Sequence, residues 1–175
     1  SPTVSRERRV VVHPNKPMLA DAVAPVFVSQ LTTLIAENGR AHVVLTGGSL
    51  GSGVLESVNA LPERDSVDWQ AVDFWWGDER WLPRGDAERN ETQARAALLD
   101  HLASDGTNIH PFPASDDGLD LDAAADGLGD GRRVALRRRQ QHGQPGVEAP
   151  GGRCSAPVIG AVLGHHVRRH TEVCI

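Results

Sequence analysis

"AHVVLTGGSLGSGVLESVNAL", residues 41–61, decides the fold. Its first six residues, Ala41–Thr46, are a short apolar run suited to a buried strand. Glycines follow at once, and "SGVLESVNAL" (Ser52–Leu61) reads as a short helix closed by Pro62. Strand, glycine turn and helix in that order open an α/β layered domain.

The pattern repeats on either side. Upstream, "RRVVVH" (Arg8–His13) predicts a first strand ended by Pro14. Leu19, Val23, Val26, Phe27, Leu31, Leu34 and Ile35 then recur at three- and four-residue spacing, the mark of an amphipathic helix. Pro25 interrupts it, as a kink or in the first turn of a second piece. Asn38-Gly39 supplies the stop. Downstream, "WQAVDFWW" (Trp69–Trp76) predicts a strand. Asn90, with Gln93 three residues on, suits the N-cap of a helix whose apolar face is Ala94, Ala97, Leu98 and Leu102. "NIHPFP" (108–113) reads as a strand end entering a turn, and "DLDAAAD" (120–126) as another helix start. The order β-α-β-α-β-α-β-α predicts a mostly parallel sheet, in which ligands bind beyond the carboxyl ends of the strands. Gly47–Ser49 and Gly77–Arg80 both follow predicted strands directly and could share one rim.

Composition bounds the class. The chain has 175 residues, 39% of them apolar, enough for a core. No apolar run reaches the ~18 residues of a membrane span, and "SPTVSRERRVVVH" has no apolar signal region. A soluble cytoplasmic protein is expected. Of 18 basic residues only Lys16 is lysine, the arginine bias of a GC-rich genome. Residues 1–126 carry 10 basic and 20 acidic side chains; residues 127–175 carry 8 arginines and 3 acids. That reversal marks two parts of different kind. Residues 127–175 show no sustained periodicity, "GQPGVEAPGG" (143–152) reads as coil, and only "SAPVIGAVLG" (155–164) suits a short strand. A disordered basic tail and an out-of-frame reading of a GC-rich gene both fit; the codon bias of Arg, Gly, Pro and Ala favours the second.

Chemistry concentrates in two motifs. A glycine turn before a helix exposes backbone N–H groups that suit an anion, above all phosphate. Thr46, Ser49 and Ser52 add hydroxyls; the same turn also suits a tight connection that binds nothing. Neither the dinucleotide pattern nor the Walker pattern is met. Gly47-Gly48-Ser49-Leu50-Gly51 does match G-x-S-x-G, so a serine hydrolase with Ser49, Asp78 and His110 is an alternative. In "WWGDERW" (75–81), carboxylates at a strand end could serve as base or orienting group and the arginine could grip phosphate. A surface ion pair is the plain alternative. His165, His166, His170, Cys154 and Cys174 have zinc-like spacing without a supporting C-x2-C pair. Arg137–Arg139 could attract nucleic acid, but only nonspecifically.

"VVLTGGS", "VDFWWGDERWLPRGDAERNETQARAALLD" and "NIHPFP" together resemble the 6-phosphogluconolactonase family, in its actinobacterial style, across roughly residues 8–126. The resemblance implies a three-layer α/β/α, Rossmann-like domain that hydrolyses 6-phosphogluconolactone to 6-phosphogluconate in the pentose phosphate pathway. It implies no metal and no organic cofactor, and a sugar-phosphate lactone as the small-molecule partner; no membrane and no specific nucleic acid are expected, and the sequence leaves the oligomeric state open, a monomer being favoured. By motif, Gly47, Gly48 and Ser49 resemble the phosphate-side loop. Asp78 would orient or activate around the sugar ring, Arg80 would hold the phosphate, and Asn90 would shape the pocket as an N-cap. The family's catalytic histidine lies in a G-x-G-x-D-G-H motif, and nothing in residues 127–175 matches it. The expectation is therefore a truncated lactonase-like domain whose reading frame shifts near 125–127, with impaired activity. A non-catalytic sugar-phosphate-binding remnant is the second reading.

Overall fold

The computed structural model describes residues 11–118, together with the backbone of residues 135–138, 145–148 and 172–174. Among the described residues there are three α-helices and six strands: α1 (Lys16–Asn38), β1 (Ala41–Leu45), α2 (Gly48–Ala60), β2 (Val72–Trp76), β3 (Asp78–Arg80), α3 (Asn90–Ala97), β4 (Ala135–Arg138), β5 (Pro145–Glu148) and β6 (Glu172–Cys174).

β1 lies at the centre of a parallel sheet. It pairs with β2 from Ala41↔Val72 to Leu45↔Trp76, and with β6 from His42↔Glu172 to Val44↔Cys174. Ile109 extends the sheet beyond β2: the Phe74 N–H donates to the Asn108 carbonyl, and the His110 N–H to the Phe74 carbonyl, both at 2.9 Å. A smaller antiparallel sheet has the order β3-β5-β4. The expected strand at Arg8–His13 is not formed over its described part, Val11–His13, and Val11 and Val12 are exposed. Both edges of β1 are already occupied, so it offers no ladder to a further strand. The coil expected over 143–152 is likewise corrected, because Pro145–Glu148 pairs with β3 and β4. The candidate helix at 120–126, the candidate strand at 155–164 and the zinc-like His/Cys spacing lie outside the residues described.

Ala41, Val43 and Leu45 of β1 point into the core while His42 and Val44 are half-buried, the two-residue alternation of a strand. The same core takes Val72, Phe74 and Trp76 from β2, and Val54, Leu55 and Val58 from α2. From α1 it takes Ala20, Val23, Ala24, Phe27, Val28 and Leu31. The buried stripe therefore differs from the predicted one: Val26 is exposed, Ala20, Ala24 and Val28 replace it, and Leu34 and Ile35 are only partly buried. Helix α1 runs unbroken through Pro25, which lies on its exposed side. Its ends obey local chemistry. Asn15 Oδ1 accepts the Met18 N–H at 3.0 Å, and Gly39, at φ 79°, donates to the Ile35 carbonyl at 2.8 Å. By length and composition α1 could cross a membrane, contrary to the sequence expectation; its buried stripe makes it a core helix.

On the opposite face of the sheet, Asp73 takes two hydrogen-bond partners and has His42 nearby. Arg40 Nε donates at 2.7 Å, His110 Nε2 lies at 2.9 Å and His42 Nδ1 at 3.7 Å. The Trp75 indole stacks on His110 with centroids 3.8 Å apart and donates to His42 Nδ1 at 3.1 Å. Burial pushes the Asp73 carboxyl up, but the hydrogen bonds from Arg40 and His110 and the nearby charges outweigh it, and the net shift is downward. A depressed carboxyl stabilises the fold above its unfolded pKa and loses that contribution as pH falls through the folded value. Acid titration of unfolding is thus expected to show a component, lying below the ordinary carboxylate range, that Asp73→Asn removes. An unchanged acid limb in that variant would refute the assignment.

Candidate functional site

The site is built where β1 and β2 end. Helix α2 begins four residues earlier than its apolar pattern predicts, at Gly48, so the glycine turn is the first turn of the helix. Gly47 caps it at φ 79° and Gly48 follows at φ 85°, values that favour glycine. The turn presents the free N–H groups of α2 beyond the carboxyl end of β1, as expected for an anion site. Ser49 is exposed, and its hydroxyl accepts from Lys16 Nζ at 3.0 Å.

Asn90 draws the two motifs together. Its Nδ2 donates to the Thr46 carbonyl at 3.3 Å, to the Asp78 carbonyl at 3.1 Å and to Asp78 Oδ1 at 3.3 Å. Its side chain lies directly over Gly47: a Cβ there would sit 2.2 Å from Asn90 Oδ1. The N-cap assignment of Asn90 is corrected. Asn90 is the first helical residue of α3, Arg89 holds the cap position, and neither side chain caps. The cap comes from Glu79 on β3. Its Oε1 accepts the N–H of Asn90 at 2.7 Å and of Arg80 at 2.8 Å, and its Oε2 accepts the N–H of Glu91 at 2.8 Å. A carboxylate held at the positive end of a helix satisfies two otherwise orphaned donors. Gln93, expected to complete a capping box, donates instead to the Ala87 carbonyl.

Arg89 is fully buried beneath this cap. It donates to the carbonyls of Arg80, Leu82, Phe112 and Pro113 and to Glu91 Oε1 at 3.1 Å, with Glu79 Oε2 at 3.7 Å. Glu91 also takes Arg84 at 2.7 Å and Arg95 at 3.0 Å. This network fixes the run from β3 to α3 to the segment at 112–113. Among the described residues the Arg80 guanidinium makes no hydrogen bond or ion pair, and the residue is half-buried. It can grip an anion without first giving up a partner.

Gly47, Asp78 and Asn90 are therefore in direct contact, and Arg80 joins them through Glu79. Ser49 sits on the same turn with Lys16. The hydrolase arrangement is not formed: the Ser49 hydroxyl faces Lys16, and His110 pairs with Asp73 rather than Asp78. Sequence reasoning missed Lys16, Glu79 and Arg89. A signal existed for the first, the one lysine in an arginine-rich chain. Among the described residues no group of three or more His, Cys, Asp or Glu is placed to hold a metal.

A parallel sheet with a glycine turn opening a helix, and a D-E-R strand end beside it, defines an α/β domain with its candidate site at the carboxyl ends of the strands. Residues 14–148 match the model of the glucosamine-6-phosphate isomerases/6-phosphogluconolactonase family, and the chain belongs to that family. It is 46% identical over 119 residues to the 6-phosphogluconolactonase of Streptomyces coelicolor, covering 67% of this chain and 46% of that protein. Identity to the Mycobacterium leprae 6-phosphogluconolactonase is 43% over 109 residues, 61% of this chain and 43% of that one. The chain spans about half the length of the curated relatives it matches. Among solved structures, the devB protein superimposes with a TM-score of 0.64 at 20% identity, covering 74% of this chain and 70% of that one. The 6-phosphogluconolactonase of Thermotoga maritima gives 0.62 at 18%, covering 75% and 72%. These likenesses bear out the Rossmann-like α/β fold expected from the sequence.

Proposed function

We propose that this chain binds a 6-phosphogluconolactone-type sugar phosphate and hydrolyses it poorly or not at all. The contact of Gly47, Asn90 and Asp78 at the strand ends, with an unengaged Arg80 beside them, carries this reading. The phosphate goes to the α2 N-terminus, the Ser49 hydroxyl and Arg80, with Lys16 Nζ supplying a second cation. Asp78, oriented by Asn90, faces the sugar ring. Attack on a lactone carbonyl needs a base to activate water and donors for the oxyanion. The 175 residues contain no G-x-G-x-D-G-H histidine to serve as that base. No metal or organic cofactor enters this reading, and the protein acts as a cytoplasmic monomer. Residues 127–175 form a part distinct in kind from 1–126; finding the histidine motif in another frame of the coding DNA beyond codon 126 would establish a frameshift.

The test uses the stable product and the substrate. 6-Phosphogluconate is expected to raise the melting temperature, with no release of acid from fresh lactone above its spontaneous opening. Absence of any shift would overturn the binding claim, and robust turnover would overturn the claim of impairment. Lys16→Gln is expected to weaken 6-phosphogluconate binding about fivefold at low salt and less at high salt, as screening of one charge contact requires. Unchanged affinity at both ionic strengths would remove Lys16 from the site.

A further inference from the structure

We propose that the space behind the glycine turn, between α2, α3 and the end of β2, is a binding site for one hydroxyl oxygen, supplied by a water or by a sugar hydroxyl. Three polar groups line it. The Trp76 indole is 5% exposed, and its Nε1 is buried without a hydrogen-bond partner among the described residues. An indole N–H can only donate, and a buried donor left unmet carries its full desolvation penalty. Asn90 supplies the complement. Its amide orientation is set by the carbonyls of Thr46 and Asp78, which demand the NH2 end. Oδ1 is thereby left as an acceptor, and among the described residues no donor reaches it. The Ser52 hydroxyl, on the same wall, is also without a partner among the described residues.

The space between these groups is about 10 Å³, room for a single water-sized oxygen, and its other walls include Leu45, Leu55 and Ala94, which offer no side-chain partner. A donor and an acceptor facing one small space call for an atom that can both accept and donate. Water and an alcohol do so, and a buried water needs two or more such partners. A phosphate dianion only accepts, and would meet Asn90 Oδ1 with like polarity. The oxygen held here would tie β2 to α3 and keep Asn90 seated over Gly47 and against Asp78. The sugar-hydroxyl source rests on the sugar-phosphate reading above; the water source does not.

The test is NMR on the full chain with 15N-labelled tryptophan. Four tryptophans give four indole signals. Trp76→Phe assigns the one of interest, and Trp69→Phe, Trp75→Phe and Trp81→Phe assign it by elimination if that variant does not fold. A cross-relaxation peak between the Trp76 indole proton and long-lived water, present without ligand and kept when 6-phosphogluconate is added, identifies water. A shift of that proton with 6-phosphogluconate, and a Trp76→Phe affinity lower by about fivefold, identifies a sugar hydroxyl. Inorganic phosphate is expected to leave the signal in place. Absence of both a water peak and a ligand shift would overturn the site, and an equal shift with inorganic phosphate would overturn its hydroxyl character. If 6-phosphogluconate does not bind at all, the proposed function fails while a water peak would still establish this site.

Discussion

Replacing Glu79 by glutamine is expected to lower folding stability by about 3–5 kcal/mol, read as a lower urea midpoint at unchanged slope. Glu79 is 1% exposed, and its two oxygens accept three backbone N–H groups. Glutamine keeps the shape but turns an NH2 toward at least one of those donors, leaving it buried and unmet. It also removes one of the two carboxylates near the fully buried Arg89, leaving Glu91 as the one nearby countercharge among the described residues. Breaking one side of a buried charge network is far more damaging than losing a surface pair. Glu88→Gln, on the exposed side of the same segment, should stay within about 0.5 kcal/mol of the parent. Equal effects from the two substitutions would show that the Glu79 cap contributes nothing.

Glu79 also shows where sequence reading stops. The D-E-R triplet identifies a strand end with charge, and its neighbours Asp78 and Arg80 are candidate site residues by position and chemistry. That the middle residue faces inward follows from strand alternation, but its task depends on α3 arriving from eleven residues downstream. The same holds for Asn90, where the residue type suggested an N-cap. The structure uses its amide to bridge strand ends and leaves capping to Glu79. Local patterns placed β1, the end of α2 and the Gly39 stop well, because each depends on neighbours within a few residues. Val11–His13 was misread because β-propensity cannot report whether a sheet edge is available. Around the D-E-R triplet the tryptophans take separate places: Trp69 and Trp76 are core and Trp75 stacks on His110, while the charges divide between a buried network and an open rim.

Gly47→Ala is expected to destabilise the chain by about 3 kcal/mol and to abolish stabilisation by 6-phosphogluconate, whereas Gly48→Ala should cost about 1–2 kcal/mol and keep part of it. Both glycines have positive φ, 79° and 85°, so both variants incur backbone strain. Their surroundings differ. A Cβ on Gly48 meets nothing within 4 Å, while one on Gly47 lands 2.2 Å from Asn90 Oδ1 and 2.4 Å from Asn90 Cγ. Asn90 must leave, and with it go its bonds to Thr46 and Asp78. The difference between the two variants therefore isolates the steric contact from the strain. Asn90→Ala supplies the check: in the double variant the clash is gone and only strain is left, so the pair should couple by about 1–2 kcal/mol. Equal losses at Gly47 and Gly48, or additive behaviour of Gly47→Ala with Asn90→Ala, would mean that the turn is glycine-rich for backbone reasons alone. Coupling would instead place the Gly47–Asn90 contact at the centre of the site, joining the anion turn to Asp78.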